Sequence, residues 1–93
     1  MKEITSSHEV KALISNGAQV LDVRSQNEFG QDAVAGAINL PLDELKNAKT
    51  QLDASKAVVV YCRTGGRSAK AKELLINQGF KAVHNAGSLA NLS

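Results

Sequence analysis

Ala57-Val58-Val59-Val60-Tyr61, running straight into Cys62-Arg63-Thr64-Gly65-Gly66-Arg67-Ser68, is the stretch on which the fold turns. Residues 57–61 are apolar without interruption and β-branched at 58, 59 and 60. A strand with one wet face alternates apolar and polar residues, whereas an unbroken run belongs to a central strand covered on both sides, as in a parallel sheet. The loop that follows contains Gly65-Gly66 and leads into a helix over 68–78, with Ala71, Leu74 and Leu75 on one face and Gly79 closing it. Buried strand, tight loop and helix are consecutive parts of a β-α unit.

The same succession extends in both directions. Lys2–Thr5 predicts a weak first strand. Ser6 and Glu9 have the spacing of a capping box, Val10, Leu13 and Ile14 form a helical stripe, and Asn16-Gly17 ends it. Val20–Val23 predicts a short buried strand, Ser25 with Glu28 a second capping box opening a short helix through Phe29, and Ala37–Leu40 a third strand halted by Pro41. Leu42, Leu45, Ala48 and Leu52 mark a helical face, and Lys81–His84 predicts a last short strand before a polar tail rich in Ala, Gly and Ser. The expected class is α/β: a three-layer domain with a parallel sheet of about five strands flanked by helices. No repeat or linker divides it, so residues 1–93 are expected to form a single domain.

Composition narrows the function classes. With Phe29, Tyr61 and Phe80 the whole aromatic set, the core must be built from Val, Leu, Ile and Ala. A net charge of +2, with no basic run interleaved with aromatics, argues against a nucleic-acid partner. No apolar stretch is long enough to span a bilayer, and the first nine residues lack the apolar core of a signal peptide, so no membrane association is expected. Cys62 is the only cysteine, which rules out an internal disulfide. A free thiol without an export signal points to the cytoplasm. His8 and His84 have no neighbours at metal-ligand spacing, so neither a metal nor another cofactor is expected. The glycines at 65 and 66 lack the Lys-Ser/Thr ending of a nucleotide loop.

The chemistry is concentrated at Cys62. It stands at the carboxyl end of the central strand, the edge where open α/β sheets bind ligands. Inward-pointing amides of a Gly-containing loop and the positive end of the following helix favour an anion there, and Arg63 and Arg67 add charge beside it. A free cysteine titrates near about 8.5 and is lowered by such surroundings, so the sulfur is expected to be a thiolate at neutral pH. A structural thiol would need neither Gly-Gly, two arginines nor a helix start within the next six positions. Loop length separates related chemistries. Cysteine-dependent phosphatases and arsenate reductases place five residues between Cys and Arg to cradle a tetrahedral oxyanion. Here four residues separate Cys62 from Arg67, and the smaller ring fits one sulfur better than a phosphate.

The Cys-Arg-Thr-Gly-Gly-Arg-Ser loop at 62–68 resembles the active-site loop of single-domain rhodaneses. Leu21-Asp22-Val23-Arg24-Ser25-Gln26-Asn27-Glu28-Phe29 and Gly36-Ala37-Ile38-Asn39-Leu40-Pro41 resemble that family's two other signatures, so the similarity covers nearly the whole chain. It departs from the family where Asp32-Ala33-Val34-Ala35 replaces the common Gly-His-Ile-Pro, and where no aromatic follows Ala86-Gly87-Ser88-Leu89.

The resemblance implies a thiosulfate sulfurtransferase. Cys62 would be the catalytic nucleophile and persulfide carrier. The substrate-binding group would be Arg63, Thr64, Gly65, Gly66, Arg67 and Ser68. Amides of 63–67 would cradle the sulfur, the arginines would orient an anionic donor, and the Ser68 hydroxyl would donate towards the sulfur. The donor would be thiosulfate or a similar small anion, and the acceptor cyanide, a thiol or an acceptor protein. A monomer is the expected state. The alternative is a non-catalytic persulfide carrier or binding module fed by a partner protein. Asp22 and Arg24 have structural roles in this reading, Arg24 pairing with Glu28 and Asp22 anchoring loop amides. Lys70 and Lys72 extend the positive field or simply cover a solvated helix face.

Overall fold

A computed structural model describes residues 4–92. Its sheet is wholly parallel, with β1 (Gln19–Asp22), β2 (Ile38–Asn39), β3 (Val58–Cys62) and β4 (Val83–Ser88) in the spatial order β2-β1-β3-β4. The apolar run is β3, flanked by β1 and β4, and all five of its residues are buried. Period-two alternation sends its side chains into two separate cores. Val58, Val60 and Cys62 join Leu21, Val23, Leu45, Ala48, Leu52, Ala71 and Leu75 on one face. Val59 and Tyr61 join Val10, Val20 and Ala86 on the other.

Helices close both faces and complete the three layers. α1 (Ser7–Ser15) covers the Tyr61 side, its first turn capped by Ser6 Oγ accepting from the Glu9 amide at 3.2 Å. α2 (Gln26–Gln31) opens with the complete Ser25–Glu28 capping box. α3 (Gly66–Asn77) lies over the Cys62 side, with Ser68, Ala71 and Leu75 facing inward. The helical face expected over 42–52 buries Leu45, Ala48 and Leu52, but the segment Leu42–Thr50 is 3-10 and breaks at Asn47. The Thr50 hydroxyl takes the Asn47 carbonyl at 2.7 Å, and the Gln51 amide turns to Ala48 at 3.0 Å instead. The Thr50 side chain thus occupies the carbonyl of the residue at which the segment kinks.

Two expectations change. The sheet has four strands among the described residues, not about five. Of the strand expected over 2–5, residues 2 and 3 lie outside the described residues, and Ile4 and Thr5 are not in a strand. One backbone bond, from the Thr5 amide to the Asn85 carbonyl at 2.8 Å, ties that segment to β4. The last strand is also later than expected: it runs from Val83 through Ser88, taking in residues that read as a polar tail. Its register against β3 shifts between Val60 and Tyr61, so Asn85 lies opposite Val60 and Gly87 opposite Tyr61. Strand alternation from Val83 turns Asn85 towards α3 and Ala86 into the other core, and the bulge follows Asn85.

Candidate active site

Cys62 ends β3 and is 1% exposed. The chain then turns sharply through Arg63 and Thr64 to Gly65, whose φ of +99° is the left-handed conformation that glycine adopts without strain. That residue is the N-cap of α3, and Gly66 is the helix's first residue. The turn aims backbone donors at the sulfur: the Gly65 amide at 3.0 Å and the Ser68 amide at 3.4 Å. Sγ also lies 3.4 Å from the Ser68 hydroxyl oxygen. Burial pushes the thiol up, but the Ser68 hydroxyl and the amides of Ser68, Gly65 and Thr64 together outweigh it. The net effect holds Cys62 below the ordinary thiol value.

The arginines beside the loop differ. Arg67 is clamped by Glu28, Nη1 to Oε1 at 2.8 Å and Nη2 to Oε2 at 3.1 Å. Arg63 reaches the same carboxylate only at 3.8 Å, with 77% of its side chain exposed. Arg67, bonded to Glu28, and the Ser25 amide hold the Glu28 carboxyl down at about 2, and Glu28 in turn raises Arg67. The expected Arg24–Glu28 pair does not form. Arg24 runs inward beside the Tyr61 ring, its guanidinium carbon 5.5 Å from the centroid, and bonds Asp22 through Nη2 at 2.7 Å. It also meets the Asp32 carboxylate at 3.3 Å and donates to the Asp32 carbonyl. Spacing allowed both pairings; the direction of the Arg24 side chain along the sheet edge selects Asp22. As expected of an anchor, Asp22 accepts from the Arg24 amide at 2.8 Å.

A cavity of about 710 Å³ opens above this edge, lined by Arg24, Glu28, Asp32, Arg63, Ser88 and Leu89 among others. Arg63, largely exposed and only loosely paired with Glu28, stands in its wall, next in the chain to Cys62. Lys70 lies on the exposed face of α3 and pairs with Glu73 at 3.5 Å, away from the sulfur's partners. Among the described residues no group of three or more His, Cys, Asp or Glu side chains could hold a metal, and no helix is long and apolar enough to cross a membrane.

One residue of the site was not legible. Asn85, 1% exposed, accepts from the Ser68 hydroxyl at 2.6 Å and the Gly87 amide at 2.9 Å, and its Nδ2 lies 3.5 Å from the Gly65 carbonyl. The signal available was the period of two from Val83, which places 85 on the inward face once the strand is carried past His84.

Known proteins match this arrangement along most of the chain. Residues 6–91 match the rhodanese-like domain family. Thiosulfate sulfurtransferase PspE of Escherichia coli is 41% identical over 75 residues, which cover 78% of this chain and 72% of PspE. A tRNA sulfurtransferase of Desulfurococcus amylolyticus is 42% identical over 71 residues, 76% of this chain but only 14% of that protein. The solved structure of a rhodanese with anions from Escherichia coli superposes with a TM-score of 0.75 at 39% identity, covering 83% of this chain and 93% of the other. With its parallel sheet, its strand-end cysteine loop and this match over residues 6–91, the chain belongs to the rhodanese-like domain family.

Proposed function

We propose that residues 1–93 act as a single rhodanese domain that moves sulfane sulfur through a persulfide on Cys62. The observation that carries this reading is the hold on Sγ by the Gly65 and Ser68 amides at the end of β3. Such donors stabilise a thiolate before the reaction and a persulfide anion after it. The Cys62 thiolate attacks the outer sulfur of thiosulfate. A new S–S bond forms, the old one breaks, and sulfite departs with its electron pair. A thiophilic acceptor, cyanide or a thiol, then attacks the outer sulfur and returns the thiolate. The amides of Gly65 and Ser68 favour the ionised sulfur, which is the attacking form, so the cycle is written without a separate general base.

Arg63 attracts the anionic donor, whereas Arg67 is a strut held by Glu28. Thr64, Gly65, Gly66 and Ser68 shape the cradle. The PspE similarity supports thiosulfate as donor. A monomer in the cytoplasm suits a chain with one thiol, which a reducing compartment keeps available.

The test is thiocyanate formation from thiosulfate and cyanide by the wild type and by Cys62→Ser. Turnover by the wild type and its loss in the variant supports the cycle. Full activity of Cys62→Ser would refute it. A second reading, a persulfide carrier fed by a partner protein, is favoured by the match to a 14% segment of a tRNA sulfurtransferase. A carrier would accept sulfur on Cys62 yet turn thiosulfate over poorly.

A further inference from the structure

Ser68 has one hydroxyl proton and two neighbours that can accept it. Its oxygen lies 2.6 Å from Asn85 Oδ1 and 3.4 Å from Cys62 Sγ. The amide orientation of Asn85 is fixed from outside this pair. The Gly87 N–H can only donate, so the atom 2.9 Å away must be the side-chain oxygen, and Nδ2 faces the Gly65 carbonyl. While the sulfur is protonated, the chain runs one way: S–H to Ser68 Oγ, then Ser68 O–H to Asn85. When the sulfur is anionic it has no proton to give, and the hydroxyl must choose between two acceptors. Asn85 tolerates losing that proton, because the Gly87 amide still satisfies its oxygen.

We propose that Asn85 is a positioning residue for sulfur transfer, holding the Ser68 hydroxyl proton in competition with the Cys62 sulfur so that the hydroxyl turns to the sulfur only when the sulfur is anionic. The inference rests on Cys62 as the sulfur-carrying thiol. Competition of this kind leaves the thiolate less stabilised than an undivided hydroxyl would, and a less stabilised thiolate is the stronger nucleophile. The charged groups around the sulfur are accounted for separately. Arg67 of α3 interacts with it, Arg63 stands in the loop, and Glu28 of α2 pairs with both. β1 ends in the mutually paired Asp22 and Arg24. β4 presents Asn85, Ala86, Gly87 and Ser88 there, none of which titrates.

The test is the pH dependence of Cys62 alkylation by iodoacetamide, which reads the thiol without any sulfur donor and therefore stands or falls independently of thiosulfate turnover. Asn85→Ala gives the hydroxyl wholly to the sulfur, and the alkylation midpoint falls by roughly half a unit to one unit. If Asn85 merely braced the loop, its loss would misaim the amides and the midpoint would rise; a rise or no change overturns the proposal. Asn85→Leu, which keeps the branching and the number of side-chain heavy atoms and excludes water, is predicted to shift it the same way. Ser68→Ala raises the midpoint, and adding Asn85→Ala to it changes nothing further, because Asn85 acts through Ser68. Should neither Asn85 variant fold, the Ser68→Ala result decides: a midpoint that falls or stays put contradicts a hydroxyl that turns to the anion.

Discussion

Arg67 and Glu28 meet as a two-pronged pair at the mouth of the cysteine loop, at 2.8 and 3.1 Å, while Arg63 stands 3.8 Å from the same carboxylate. Glu28 is itself fixed by the Ser25 capping box at the start of α2. The cap of one helix thus fastens the first turn of another, and two arginines four positions apart in the chain do different work. Charge that is already satisfied by a carboxylate offers little to an incoming anion; exposed charge offers more.

Replacing the two arginines separates these roles. Arg63→Ala raises KM for thiosulfate by roughly three- to tenfold at low salt, the loss of one exposed charge-assisted contact, and leaves kcat and the melting temperature nearly unchanged. Arg67→Ala lowers kcat and the melting temperature together, because the start of α3 loses its tie to α2. Steady-state kinetics and thermal melts on both variants check this. Equal KM effects would mean that both cations meet the donor.

Glu28 also sets an acid limit on stability. Its carboxyl titrates at about 2 in the folded protein, below the ordinary range, with Arg67 as the first cause. A depressed folded value stabilises the protein above the unfolded value of about 4.3, and that contribution is lost as pH falls through the folded one. Wild-type stability therefore drops between about pH 4 and pH 2 more steeply than that of Glu28→Gln, which has no proton to take up. Urea melts across that window are the check. Parallel curves would mean that the pair is not maintained in solution.

The Arg24–Asp22 pair is buried, with side-chain exposures of 6% and 0%. Asp22→Asn removes the charge opposite a buried guanidinium and the main acceptor of its hydrogen bonds, and is expected to cost about 3 kcal/mol. The exposed Asp32 compensates only in part. Urea denaturation measures this. A loss below about 1 kcal/mol would put the pair with ordinary surface ion pairs.

Gly65 and Gly79 provide a matched comparison, with φ of +99° and +101° at opposite ends of α3. Alanine at either site is strained in this left-handed region, and each substitution is expected to cost about 1–2 kcal/mol. At Gly65 an added Cβ also comes within 3.2 Å of Ile4 Cδ1, and the strained amide is the one that holds Sγ. Gly65→Ala is expected to raise the alkylation midpoint of Cys62, and Gly79→Ala to leave it unchanged. Equal midpoints would detach the Gly65 amide from the thiol's ionisation.

Much of this was legible in the chain. An unbroken Val58-Val59-Val60-Tyr61 run has one economical explanation, and it located both the sheet's centre and the cysteine at its end. Both caps, at Ser6 and Ser25, were readable because capping is local. What failed was non-local. Arg24 has carboxylates at 22, 28 and 32 within its reach, and only the sheet edge decides among them. Asn85 looks like tail because nothing local carries the strand past His84, and its partners Ser68 and Gly65 are brought to it by α3 and the loop before it. The Leu42–Thr50 segment kept its buried face but not its helix type, because spacing marks the buried face while the kink at Asn47 and its bond from Thr50 are details of local geometry.

Intact-protein mass spectrometry after incubation with thiosulfate, and again after adding cyanide, tests the persulfide cycle most directly. A gain of one sulfur atom on the wild type, absent in Cys62→Ser and reversed by cyanide, is the predicted result. A wild-type mass unchanged by thiosulfate, or a gain that persists in Cys62→Ser, would contradict it.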